Sequence, residues 1–173
     1  MLVREVAQHI RHGAKAALLL YNTSQVSLWT SFLTRMTDLK VSGLEECWDQ
    51  DTCQIVDTSG VIVTCHKTFS TIVSRKYLSL DQCKLVIVDN VQASINDPQS
   101  SLLSLYNSVA RNKAPRLITI TPNILSSNTD TSLATLPRQL SSLQSLIPAN
   151  VECSCEITTQ LRFLARPQEI VIR

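Results

Sequence analysis

Short apolar runs of strand length alternate with segments of helical periodicity along this chain, and few folds accept that order. Ala16 to Tyr21, Gly60 to Cys65, Leu85 to Val88 and Leu117 to Thr121 are the clearest runs. Each is too short for a buried helix and almost unbroken, as a strand covered on both faces is. Val41 to Leu44 reads as a weaker strand, and Ile157 and Glu169 to Arg173 are strand-like. Between them the spacing changes to three and four. Ser24 to Thr37 carries Val26, Trp29, Phe32, Leu33 and Met36 on one helical face, with Ser24 as the expected N-cap. Thr68 to Ser74, Ser100 to Ala110 and Leu133 to Leu146 read as helices, and so does the stretch through Leu2, Val3, Val6 and Ile10. Strands separated in this way join by crossovers into a mostly parallel sheet with helices on both faces, an α/β doubly wound fold. Glu45 to Asp57 holds five carboxylates and no Lys or Arg, and is expected to be a solvated loop.

The chain has 173 residues, enough for one domain with a core and too few for two comfortable ones. Residues 1–173 are therefore read as a single domain. A formal net charge of +2 gives no overall field for nucleic acid, so any such contact must come from a local patch. Arg111, Lys113 and Arg116 form one small basic cluster. The three glycines, Gly13, Gly43 and Gly60, bound the phosphate chemistry. A Walker-type loop needs two glycines, then Lys and a hydroxyl. Gly13-Ala14-Lys15-Ala16 lacks both the upstream Gly and the hydroxyl, and reads as the end of a helix followed by a solvated Lys. The six cysteines do not have the spacing of a disulfide scaffold, and neither Cys65-His66 nor Cys153-x-Cys155 has a second pair at zinc-site spacing. Met1-Leu2-Val3-Arg4-Glu5 is no signal peptide, and the apolar runs are far short of a membrane span. A reducing, cytoplasmic setting is expected.

Parallel sheets place ligands at the carboxyl ends of their strands. Here those ends are Asn22-Thr23, Thr64-Cys65-His66, Asp89-Asn90 and Thr121-Pro122-Asn123. The blocks Val61 to His66, Tyr77 to Leu80, Lys84 to Asp89, Pro115 to Thr121, Asn123 to Leu125 and Arg166 to Val171 resemble, in order and in spacing, the first RecA-like domain of the helicase region in Dicer proteins. Residues 1–60 fit the same domain in order but carry no sharp motif.

The resemblance implies a superfamily 2 helicase fold whose nucleotide motifs are damaged. The family ends its Walker B strand with Asp-Glu-x-His; this sequence has Asp89-Asn90-Val91-Gln92. Asp89 keeps the position that helps to hold Mg²⁺. Asn90 has the shape of a carboxylate but neither its charge nor its basicity. Gln92 replaces the His that couples hydrolysis to movement. Of the next motif, Thr-Ala-Ser, Thr121 alone remains. Asp89, Asn90, Gln92 and Thr121 are thus read as vestigial nucleotide-site positions, with Asp89 as the vestigial metal position and no catalytic residue. A helix opens the chain where such a domain opens with a strand and its phosphate loop, so that strand and loop are expected to be missing from it. The pattern is similar to that of the microRNA-class Dicers of arthropods. Thr64 matches the family motif that touches RNA backbone, with His66 and Lys67 beside it, and these three are the expected RNA contacts.

The implied function is part of an endoribonuclease of the ribonuclease III class that processes double-stranded or precursor-hairpin RNA in small-RNA silencing. This stretch would serve RNA and partner recognition without binding a cofactor. Its partners would be that RNA, a second RecA-like domain downstream in the same chain, and a double-stranded-RNA-binding protein, with no membrane involved. Two rivals remain open: a working ATP-binding half of a helicase, which would use ATP and Mg²⁺ and would need Glu at position 90, and a doubly wound protein–protein interaction module.

Overall fold

The structure is a computed structural model and describes residues 14–46, 49–91, 102–110, 112–120 and 141. The chain enters with β1 (Lys15–Leu20), a 3-10 turn (Thr23–Gln25) and α1 (Val26–Met36). It continues through β2 (Val41–Leu44), α2 (Asp49–Thr58), β3 (Val61–Cys65) and α3 (His66–Ser74). A second 3-10 turn (Leu80–Gln82) leads into β4 (Cys83–Asp89), followed by α4 (Leu102–Ser108) and β5 (Arg116–Ile120). The predicted helices at 2–13 and 133–146 and the strand-like segments near the end lie outside the described residues, residue 141 excepted.

The five strands form one sheet in the order β2-β3-β1-β4-β5. Every pairing is parallel, as the run-and-period pattern predicts. Alternate residues of each strand face opposite sides, and both sides are filled. Ala17, Leu19, Ile62, Val86 and Val88 meet Val56 of α2, Phe69 and Ile72 of α3 and Leu102 of α4. Ala16, Leu18, Leu20, Val61, Val63, Leu85 and Ile87 share the other side with Val26 and Leu33 of α1. Burial on two faces is the reason these strands read as unbroken apolar runs.

Three expectations need correction. Glu45 to Asp57 is not a solvated loop: it contains most of α2. Two parallel strands cannot be joined by a tight turn, and α2 is the crossover between β2 and β3. Few apolar residues suffice, because Thr52 and Val56 are buried and Ile55 packs at the edge of the same core. Asp51 falls in the first turn, where a carboxylate favours the helix dipole. The far end is held from β1. The Lys15 ammonium donates to the carbonyls of Val56, Asp57 and Ser59, which the helix leaves without intrahelical donors. Lys15 is thus a buttress of α2 rather than a solvated side chain. The third correction concerns the cap before α1. Ser24 does not cap it: Gln25 takes the N-cap position without a side-chain bond, and Asn22 caps the 3-10 turn that precedes the helix, its side-chain oxygen accepting from the Ser24 amide at 3.1 Å.

α3 ends on a left-handed residue. Lys76 has φ 62°. The Tyr77 amide donates to the Ile72 carbonyl and the Lys76 amide to the Val73 carbonyl, each at 3.0 Å. That pair of bonds is the Schellman stop, in which the left-handed position is normally Gly.

Candidate functional site

The carboxyl ends of β3, β1 and β4 come side by side. Leu20 pairs with Cys65, and Leu19 with Val88. The chain then leaves β1 at Tyr21, β3 at His66 and β4 at Asn90. The connection from β1 runs to α1 on one face, whereas that from β3 runs to α3 on the other. In sheets of this type the usual ligand position lies beside neighbouring strands whose connections diverge in this way. Of the residues predicted from sequence, this edge gathers Thr64, His66, Lys67, Asp89 and Asn90. Gln92 and Thr121 lie outside the described residues.

Position along the chain does not guarantee access. Thr64 is 0% exposed, and its hydroxyl donates to the Leu44 carbonyl of β2 at 2.6 Å. It therefore locks β3 to β2 and has no surface to offer an RNA backbone, contrary to the reading made from its motif. His66 is 5% exposed and is the first residue of α3 rather than a loop residue. Lys67 follows it in the first turn and is exposed. The Cys65 thiol caps this helix, accepting from the Thr68 amide at 3.5 Å. The Thr68 hydroxyl donates to the Glu45 carbonyl at 3.1 Å and so ties the β2 exit to α3. No acidic residue occupies the first turn of α3, so its positive end is not offset from within the helix.

At the end of β4, Asp89 and Asn90 are both partly exposed. Asn90 has φ 51°, in the left-handed region, which Asn tolerates better than most residues with a Cβ. Its amide can donate and accept hydrogen bonds but cannot take up a proton as a base. At this end of β4 one carboxylate, Asp89, stands beside an amide, Asn90. Among the described residues no three His, Cys, Asp or Glu side chains cluster as a metal would require, and no helix is long and apolar enough to cross a membrane.

Sequence reasoning passed over Tyr21. Its ring lies 6.5 Å from that of His66, centroid to centroid, at an interplanar angle of 63°, and it is 62% exposed. Its place directly after a buried strand was the available signal. A shallow groove lies further along the sheet, between α1 and the exit of β2, lined by Ser27, Thr30, Gly43, Glu45 and Glu46 among others.

A parallel five-stranded sheet with helices on both faces has the RecA-like architecture of a helicase domain. The chain superposes on the helicase domain of Hef from Pyrococcus furiosus with a TM-score of 0.68 and 16% identity, covering 85% of this chain and 30% of that one. In sequence it is 25% identical over 185 residues to endoribonuclease Dicer from Gallus gallus, covering 99% of this chain and 9% of the chicken protein. Together these findings support assignment of the chain to the helicase region of a Dicer-type protein. It spans less than a tenth of the length of that relative. No protein-family model matches it.

Proposed function

We propose that this chain is a degenerate, non-catalytic helicase domain of a Dicer-type endoribonuclease, and that it serves RNA and partner recognition rather than ATP turnover. The observation that carries the reading is the end of β4, where Asp89 is followed by an amide, Asn90, held in a left-handed conformation. Phosphoryl transfer is catalysed by positioning and by charge. An amide in place of the carboxylate that orients the attacking water removes one such charge. Released from turnover, the domain retains a shaped carboxyl edge. Lys67, exposed in the first turn of α3, supplies a cation there, suited to a phosphate of the RNA backbone.

In this reading the domain works in the cytoplasm. It forms one wall of a clamp with a second RecA-like domain of the same chain. The clamp engages double-stranded or hairpin RNA and a double-stranded-RNA-binding partner protein. Steady-state ATPase assays, with and without double-stranded RNA, test the central claim. No turnover above the buffer rate is expected. An RNA-stimulated rate on the ordinary enzyme scale of ~1–10³ s⁻¹ overturns it.

A further inference from the structure

We propose that the open edge of β2 is a docking site for an extended, basic segment of a partner protein, which joins the sheet as a further strand beside β2. The inference rests on the partner-recognition part of the reading above and names the surface that serves it.

β2 is an outer strand of the sheet, and among the described residues it pairs with β3 alone. The Lys40 carbonyl accepts from the Gly60 and Val61 amides at 2.9 and 3.0 Å. Along a parallel ladder, successive residues direct their N–H and C=O groups to opposite sides. Ser42 and Leu44 therefore turn theirs to β3, as Lys40 does, and Val41 and Gly43 turn theirs outward. Outward groups of this kind are the template on which another strand builds. Of the devices that blunt an open edge, β2 has only its brevity: Val41–Leu44 contains no charge, no Pro and no bulge. Gly43, Glu45 and Glu46 are exposed, so the described residues leave this edge uncovered, and the occupant comes from outside them.

The groove beside the edge selects the chemistry of that occupant. It lies between α1 and the exit of β2 and measures about 590 Å³, within the range of sites that hold a ligand. Ser27 and Ser31 line it from α1, and Glu45 and Glu46 from the exit of β2. No Lys or Arg is among the described residues that line it. The backbone that presents the carboxylates is anchored: the Leu44 carbonyl accepts from Thr64 at 2.6 Å and the Glu45 carbonyl from Thr68 at 3.1 Å. Every second side chain of an added strand falls on the α1 side, over this groove, where the two carboxylates favour Lys or Arg. Main-chain bonds then give affinity, and the groove gives selectivity.

The test uses the full chain and a labelled octapeptide of alternating Lys and Thr, read by anisotropy and by residue-resolved hydrogen exchange. In the free chain the Val41 and Gly43 amides should exchange fast and those of Ser42 and Leu44 slowly. The peptide should protect the first pair. N-methylation of every second peptide residue should weaken binding about tenfold in one frame, the scale of two lost hydrogen bonds, and leave it unchanged in the other. Glu45→Gln with Glu46→Gln should weaken binding about fivefold, the scale of two exposed ion pairs, and lower its salt dependence. Val41→Pro removes an outward N–H, a change that edge strands tolerate, and should weaken binding with Ser42 and Leu44 still protected. Binding that ignores the N-methyl frame is charge attraction alone and refutes strand addition. Protection of Val41 and Gly43 in the free monomer means that the chain covers its own edge. The same protection in a dimer that Val41→Pro dissolves assigns the edge to a second copy. Either result overturns the proposal. RNA-stimulated ATP turnover with pairing intact sinks the non-catalytic reading alone; absent pairing without turnover sinks this surface alone.

Discussion

Gly43 lies so close to Thr30 that a Cβ built on it would stand 2.5 Å from the Thr30 hydroxyl oxygen. That hydroxyl cannot swing away freely, since it donates to the Val26 carbonyl one turn back at 2.7 Å. α1 therefore rests on the backbone of β2, the edge strand, at the one position without a side chain. Gly43→Ala should destabilise the chain by about 1–3 kcal/mol, the usual penalty for overpacking a fitted contact. Adding Thr30→Ala should recover part of the loss. Urea denaturation of the two single variants and the double variant gives the coupling; additive losses would show that Thr30 is not the obstacle.

Lys15 joins β1 to the C-terminal end of α2 through three carbonyls. Lys15→Met keeps the stem and removes the donors. The expected loss is about 1.5–3 kcal/mol, the range for hydrogen bonds from a charged group. Hydrogen exchange should quicken in the last turn of α2 and leave the centre of β4 protected. Unchanged protection in α2 would show that the ammonium is not what holds it.

Lys76 occupies a left-handed position in the stop after α3. Lys76→Gly removes the steric penalty on its Cβ and should raise stability by up to ~1 kcal/mol. Lys76→Val should lower it, as a β-branched residue fits that conformation poorly. Thermal melts of the two variants, run against the parent, check both signs.

Burial pushes the Cys83 thiol up to about 12, with Lys15 opposing the shift and Asp81 adding to it. Burial also raises the Tyr106 phenol, whose hydroxyl donates to the Pro115 carbonyl at 2.9 Å. Both groups keep their protons to higher pH when folded than when unfolded. Their contribution is therefore complete below the unfolded thiol value near ~8.5 and declines as pH rises toward about 12. Urea midpoints should fall between pH 8 and pH 10.5, and less steeply in Cys83→Ala. At neutral pH a thiol reagent should modify exposed Cys53 while buried Cys65 and Cys83 react only on unfolding. A rapid reaction at Cys83 in the native chain would contradict its burial.

Most of the sheet was readable before any coordinates. The runs containing β1, β3, β4 and β5 announce themselves because burial on both faces forces apolar residues into consecutive positions. α2 escaped because its core-facing positions begin with a polar residue, Thr52, and end with the pair Ile55–Val56, and its carboxylates look solvated; the parallel pairing of β2 with β3 demands it all the same. That Thr64, His66, Asp89 and Asn90 share one edge of the sheet was foreseen from the strand ends. The burial of Thr64 was not, because its hydroxyl is satisfied by Leu44, twenty residues away.

The amino-acid order by itself determined the five strands and the helices other than α2 among the described residues, for these follow from the period of apolar residues over a few turns of chain. It also determined that position 90 carries an amide. Tertiary structure alone decided that β1 sits at the centre between β3 and β4, that Thr64 turns inward, and that Lys15 closes α2. It alone set the Tyr21 ring against His66. Each of these depends on residues brought together from distant parts of the chain, where hydrogen-bond partners and excluded volume, rather than local periodicity, settle what a side chain can do.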